Sequence, residues 1–342
     1  MRIGVILPSV EVQRRDDLDL ATAARHAEDA GLDSVWHGDH LATGTPTVEC
    51  TIALAVAATA TCRISIGASV FVPAIRPLAW AAKAIASLQL ISGDRLLLGI
   101  GSGGGPAQWA AAGIPFPDRG PRTDTALRLL PALLTGDPVT LPGGDPVTPP
   151  AGGPAMPRAC GPAMPPAGDP AMPRACGPAM PRAGDAGTAP GVAEVTLAPG
   201  VAVPPLWVGN ASPVAIDRAA RLGDGWFPSL ITPAALAAGR ERLVAAASAS
   251  GRPEPAITIG AVAALGGAPG TPTRDDLATR IAAAYRHIAR DAAAIPLTGT
   301  PAEAAERIAE YAANGATHLV AGVSGPDWRA QTDLLAEVRR QL

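Results

Sequence analysis

Three short stretches of this chain carry side chains that could do chemistry. The first is WHGDHL, residues 36–41, where an acid, Asp39, directly precedes a histidine, His40. A histidine so placed can exchange protons near neutral pH or donate to a ring carbonyl or substrate oxygen, and Asp39 is available to orient it. The same two residues also read as a turn-capping aspartate and a surface histidine. The second stretch is the glycine cluster Gly101, Gly103, Gly104 and Gly105, interrupted by Ser102, directly after an apolar run. Such a loop lets backbone amides approach a phosphate or a flat ring closely, although an ordinary loop looks the same. The third is Gly209-Asn210-Ala211-Ser212 ahead of Pro213. Serine before proline starts a helix, and amides at a helix N-terminus bind anions; the plainer reading is an N-cap without a ligand. His37, Asp39 and His40 also resemble a metal-ligand cluster. His26 and His287 fall on expected outer helices and His318 at a strand start, so a hydrolytic metal would lack its further ligands and no metal site is expected.

These stretches need elements to position them. Ile64 to Val70 is a buried apolar run, and Pro77 opens a segment whose Leu78, Ala82, Ile85, Leu88 and Ile91 keep helical spacing until Ser92-Gly93 stops it. Arg95 to Ile100 is a second apolar run that ends in the glycine cluster. The pattern recurs along the chain. Strands are expected to begin at Ile3, Ser34, Ile64, Arg95, Leu206, Gly225, Ile257 and His318. Helices follow at about Asp16–Ala30, Val48–Thr61, Pro77–Ile91, Arg122–Leu134, Pro213–Leu222, Pro233–Ser250, Arg274–Asp291 and Trp328–Arg339. An extra helix, Pro301 to Asn314, has Thr300 as N-cap, Glu303 to close a capping box and Gly315 as its stop. Eight β/α repeats argue for a TIM barrel, in which chemistry sits where strands end. The three stretches lie at such ends, and GASVFVP places Ser69 and Val70 beside them.

Composition narrows the function classes. The formal charge of −3 gives no basic footprint for a nucleic acid, and Lys83 is the one lysine among 27 basic residues. Cys50, Cys62, Cys160 and Cys176 form neither a metal-type pair nor a dense disulfide pattern, which fits a reduced cytoplasm. No apolar run reaches the roughly 18 residues a membrane span needs, and no cleavage site follows Met1, so a soluble, unexported protein is expected. One segment interrupts the repeats. Pro154–Asp169 and Pro170–Asp185 are 16-residue copies that differ at one position. Proline at that density forbids helix, and without core-forming side chains the segment cannot offset its ordering entropy. Residues 143–193 therefore read as a disordered insertion within a single 1–342 domain, and recent repeat expansion explains the near identity better than a proline-rich partner ligand does.

The pieces MRIGVILP, AEDAGLDSVWHGDHL, RISIGASVFVPAIRPLAWAAKAIASLQLISGDRLLLGIGSG, GIPFPDRGPRTDTALRLLPALLTGDPVTL, PPLWVGNASPVAIDRAARLGDGWFP and TGTPAEAAERIAEYAANGATHLVAGVSGPD are specific in order and spacing. Together they resemble the luciferase-like monooxygenase superfamily, within it the branch that uses the deazaflavin coenzyme F420. The resemblance implies a TIM barrel with an insertion, a homodimer, and a flavin or deazaflavin at the strand C-terminal ends. It implies that Asp39 and His40 lie against the ring system, His40 as proton donor or acceptor. Ser69-Val70 matches a non-prolyl cis peptide that supports the bent ring. Gly101, Ser102, Gly103 and Gly104 match the loop at the ring and ribityl chain, and Gly209, Asn210, Ala211 and Ser212 the segment near the tail phosphate.

Departures from the pattern matter as much. Relatives that are sugar-phosphate dehydrogenases have an acid where Gly104 stands and an amide at Ala107, and many relatives have a carboxylate at Gln108. The acid role then falls on His40 or on the substrate, and a sugar phosphate fits poorly. The reading is an F420-dependent oxidoreductase that moves a hydride between the deazaflavin and a small organic substrate. The alternatives are an FMN-dependent monooxygenase using reduced flavin and dioxygen, and a flavin-binding barrel without catalysis.

Overall fold

The computed structural model describes residues 1–41, 44, 46–142, 193–285 and 291–342. The proline-rich repeats, expected as a disordered insertion, and His287 lie outside the described residues. In chain order the elements are β1 (Arg2–Ile6), α1 (Val10–Arg15), α2 (Leu20–Asp29), β2 (Ser34–His37), α3 (Cys50–Ala60), β3 (Ser65–Phe71), α4 (Leu78–Ser92), β4 (Leu96–Ile100), α5 (Pro106–Ala111) and α6 (Arg119–Thr135). There follow β5 (Val139–Leu141), β6 (Ala193–Val195), β7 (Leu206–Gly209), α7 (Pro213–Leu222), β8 (Gly225–Phe227), α8 (Pro233–Ala249), β9 (Ala256–Leu265), α9 (Arg274–Ala284), β10 (Leu297–Gly299), α10 (Pro301–Ala313), β11 (Ala316–Val323) and α11 (Trp328–Arg340).

Two compact units divide the chain, Met1–Val139 with Val195–Leu342, and Thr140–Glu194. In the first, eight strands run parallel in the order β1-β2-β3-β4-β7-β8-β9-β11, and β11 pairs back onto β1 to close the barrel, as the alternating pattern predicts. β10 adds alongside the end of β9. Of the second unit, residues 140–142 and 193–194 are described, and the short strands β5 and β6 there form a separate two-stranded sheet.

The barrel interior is filled by Trp36, Leu97, Trp207, Phe227 and Val320, with Ile6 and Val70 packed against them. Trp36 and Trp207 stack with ring centroids 5.8 Å apart, and the edge of Phe227 meets Trp36 at 5.3 Å, pairings worth about 1 kcal/mol each beyond area burial. Two indoles fit inside one barrel because neighbouring strands offer glycine: a Cβ on Gly67 would sit 2.3 Å from the Trp36 ring, and one on Gly225 would sit 2.2 Å from Trp207. Below them Trp36 Nε1 donates to Ser34 Oγ at 2.7 Å, and Ser34 Oγ lies 2.8 Å from His318 Nε2. An indole nitrogen can only donate, so Ser34 Oγ accepts from it and makes its second contact with the buried His318 ring. Burial pushes the His318 pKa down from 6.5 to about 3.

Local signals place most helix ends. Thr300 and Glu303 form the capping box of α10, Gly93 ends α4 in the left-handed region, and Ser212 caps α7. The expected helix Asp16–Ala30 starts later, as α2 from Leu20, and a further helix, α1, precedes it over Val10–Arg15. Ser9 caps α1, the chain breaks at Asp17 with φ 46°, and Asp19 accepts from Thr22 N to start α2. The helix expected over Arg274–Asp291 runs as α9 to Ala284, with 286–290 outside the described residues. α5 and β10 carry too few residues for periodicity to reveal.

Candidate functional site

The cleft at the C-terminal ends of β2, β3 and β4 begins with β2, an all-buried strand whose last residue, His37, turns into the protein. His37 Nε2 donates to the Val48 carbonyl at 3.1 Å, and burial lowers its pKa, so it stands apart from the cleft as a neutral ring. Gly38 follows, and there a Cβ would come within 2.9 Å of His40 Nε2: the imidazole folds back over the glycine. His40 is solvent-exposed and makes no hydrogen bond to a described residue. No group of three or more metal-ligating side chains assembles among the described residues.

Asp39 behaves differently from its expected part. Both carboxylate oxygens turn toward the end of β3 rather than toward His40: Oδ2 accepts from Val72 N and Oδ1 from Arg76 Nη2, each at 2.9 Å. The Arg76 guanidinium lies 4.5 Å above the Phe71 ring. A carboxylate this sheltered, 5% exposed, takes the partners that satisfy its charge, a cation and a backbone amide, and so holds the β2 loop to β3 instead of orienting the imidazole.

β3 leaves the ladder at the cleft. Its register with β4 slips between Ala68 and Phe71, and the Ser69–Val70 peptide bond is cis. Val70 packs downward onto the barrel core, and Gly101 and Gly209 make room for it: a Cβ on either would come within 2.3 and 2.9 Å of its methyl groups. Ser69 Oγ is buried without a hydrogen-bond partner among the described residues. From β4 the loop Gly101–Gly105 leads into α5, with Gly103 at φ 60° above the Trp109 indole. Trp109 is fully buried with Val72, Ala74 and Ile75, and its Nε1 also lacks a partner among the described residues. From the same helix Gln108 Oε1 accepts from Leu41 N at 2.8 Å, which ties the residue after His40 to α5.

The resulting cleft, about 170 Å³ and open to solvent, is lined by six of the expected residues, Asp39, His40, Ser69, Val70, Gly103 and Gly104. Leu41, Val72, Ile75, Gln108 and Trp109 join them; of these only Gln108 stands out in the sequence by its chemistry, and the usable signal for Trp109 is the scarcity of aromatics beside a glycine loop. Gly101 and Gly209 sit behind Val70 rather than on the lining, and Ser102 is half-buried in the loop. Asn210, Ala211 and Ser212 are exposed at the start of α7. Asn210 has φ 88°, its carbonyl accepts from Trp226 Nε1, and its Oδ1 accepts from Ser212 N at 2.8 Å.

The residues present suit a flat ring. Two buried polar atoms in the walls, Ser69 Oγ and Trp109 Nε1, have no hydrogen-bond partner among the described residues, and an unpaired buried donor costs about 1 to 3 kcal/mol. Val70, Val72 and Ile75 supply apolar faces, and space opens beyond Gly104.

Comparison with known proteins agrees in outline. The family model described as luciferase-like monooxygenase matches residues 1–287. A 134-residue stretch is 35% identical to an F420-dependent glucose-6-phosphate dehydrogenase of Amycolatopsis mediterranei (strain U-32), over 36% of this chain and 40% of that protein. The chain thus matches about two-fifths of that relative's length. Among solved structures, an F420-dependent secondary alcohol dehydrogenase in complex with an F420-acetone adduct superposes with TM-score 0.71 at 16% identity, covering 98% of this chain and 97% of that one. The FMN complex of the oxygenating constituent of 3,6-diketocamphane monooxygenase, from Pseudomonas putida, superposes with TM-score 0.69 at 16% identity, covering 100% and 99%. At these identities the structural likeness concerns the fold.

Proposed function

The chain belongs to the luciferase-like monooxygenase family, and from that premise we propose that it is an F420-dependent oxidoreductase acting on a small, uncharged organic substrate. The observation that carries the reading is His40: an exposed imidazole with no hydrogen bond to a described residue, at the mouth of a cleft whose other titratable side chain, Asp39, is committed elsewhere. Bound F420 would supply the hydride acceptor and donor. The chain's own residues do the rest. Val70, Val72 and Ile75 would line the F420 ring, Ser69 Oγ and Trp109 Nε1 would hydrogen-bond to it, and Gly103 and Gly104 would leave it room. The Val214 amide and the Ser212 hydroxyl at the start of α7 would take the tail phosphate. With an alcohol substrate, His40 would accept the hydroxyl proton and, in the reverse direction, return it to the carbonyl oxygen.

The described residues that line the cleft include no lysine or arginine, which supports a neutral substrate over a sugar phosphate. No helix among the described residues is long and apolar enough to cross a membrane. A cytoplasmic homodimer accords with this reading. Ile52 on α3 and Trp80 on α4 support the dimer, as large apolar side chains 59% and 73% exposed on adjacent helices; light scattering after gel filtration tests the oligomeric state.

Titration of the empty protein with F420 and with FMN tests the cofactor. F420 binds at least about tenfold tighter, roughly 1.4 kcal/mol, through its longer tail, and turnover proceeds without oxygen. Tight FMN binding with negligible F420 binding and oxygen-dependent turnover replaces this reading with the FMN monooxygenase.

A further inference from the structure

His40 stands between two residues that are each tied to a different β/α loop. On one side Asp39 is held by Val72 N and Arg76. On the other, Leu41 N donates to Gln108 Oε1 at 2.8 Å, a bond that spans 67 residues of chain. Leu41 is 53% exposed, so its own packing holds it only in part. Gln108 is anchored: Trp109, the next residue, is fully buried against Val72, Ala74 and Ile75, and the Gln108 amide lies over Gly105, where a Cβ would meet Nε2 at 3.0 Å. The amide thus transfers the rigidity of α5 to the loop that carries the imidazole.

We infer that Gln108 is a positioning residue for His40. The inference rests on the proposed role of His40 in proton transfer. Proton transfer needs the imidazole within about 2.6 to 3.2 Å of the substrate oxygen, and a displacement of ~1 Å can cost on the order of a hundredfold in rate. Fixing residues 39 and 41 leaves the imidazole little backbone freedom between them. The function requires an acceptor and not a charge, so glutamate serves as well as glutamine, whereas methionine keeps the length and removes the acceptor.

Three variants test this. Q108M lowers kcat about ten- to a hundredfold, while cofactor Kd and substrate KM stay within about threefold of wild type. In the empty protein, the Leu41 amide of Q108M exchanges its hydrogen about three- to tenfold faster. Q108E restores both readouts to within about threefold of wild type. Wild-type kcat in Q108M, unchanged Leu41 exchange, or failure of Q108E to restore kcat overturns the inference. H40A separates the two levels: if it retains full turnover, the proposed function of His40 fails, and the exchange rate of Leu41 still decides whether the tie to Gln108 exists.

Discussion

Discharging Asp39 tests whether its pair with Arg76 builds the cleft wall. The 2.9 Å pair is sheltered, with the Asp39 side chain 5% and the Arg76 side chain 24% exposed. An exposed pair would contribute at most about 1 kcal/mol, but a hydrogen bond to a charged group in this setting is worth about 1.5 to 3. Asp39→Asn keeps an acceptor for Val72 N and loses the charge, so it destabilises the protein by about 2 kcal/mol. Arg76→Met removes the partner of a buried carboxylate and its stacking on Phe71, and costs about 2 to 3 kcal/mol. The double variant has neither charge left to strand. Its loss is therefore smaller than the sum by about 1.5 kcal/mol. Urea denaturation of all four proteins, fitted with a common slope, measures that coupling, and the loosened β2 loop weakens F420 binding in both single variants. Additivity within about 0.3 kcal/mol would refute the argument, and the contact would then count as incidental.

His40→Ala lowers turnover by roughly ten- to ten-thousandfold while circular dichroism and melting stay near wild type; unchanged turnover returns His40 to the surface-residue reading. His318 titrates far below an unfolded histidine, so the unfolded chain binds the extra proton between pH 6.5 and about 3, and stability falls as pH drops through that window. Between pH 8 and pH 5 this single group removes about 2 kcal/mol, a loss that denaturation of His318→Gln at the two pH values should not show. Deletion of residues 154–185 leaves melting temperature and cofactor affinity nearly unchanged, because the segment lacks core-forming side chains; a large loss of either makes the repeats structural.

Whatever depends on neighbours within a few residues was legible in the sequence. Eight strand starts, the caps at Ser212 and Thr300 and the stop at Gly93 follow from apolar runs, side-chain acceptors and glycine, and alternation of parallel strands with helices leads to a closed barrel. The chemistry-bearing residues were legible as types at strand ends. Their directions were not. Asp39 looks, in sequence, like the partner of the adjacent His40, yet its carboxylate is claimed by Val72 and Arg76, 33 and 37 residues away, because a sheltered charge takes the strongest donors that folding delivers. His37 and His40 are equivalent as letters; strand burial turns one to the Val48 carbonyl and leaves the other at the cleft. Gln108 reads as a missing carboxylate until α5 brings it to Leu41, and Trp109 as one more apolar residue until Gly103 settles over its indole. Backbone geometry and side-chain caps act over one turn or one strand and can be read from adjacent letters, whereas a hydrogen bond between loops exists only after the barrel has brought distant strand ends together.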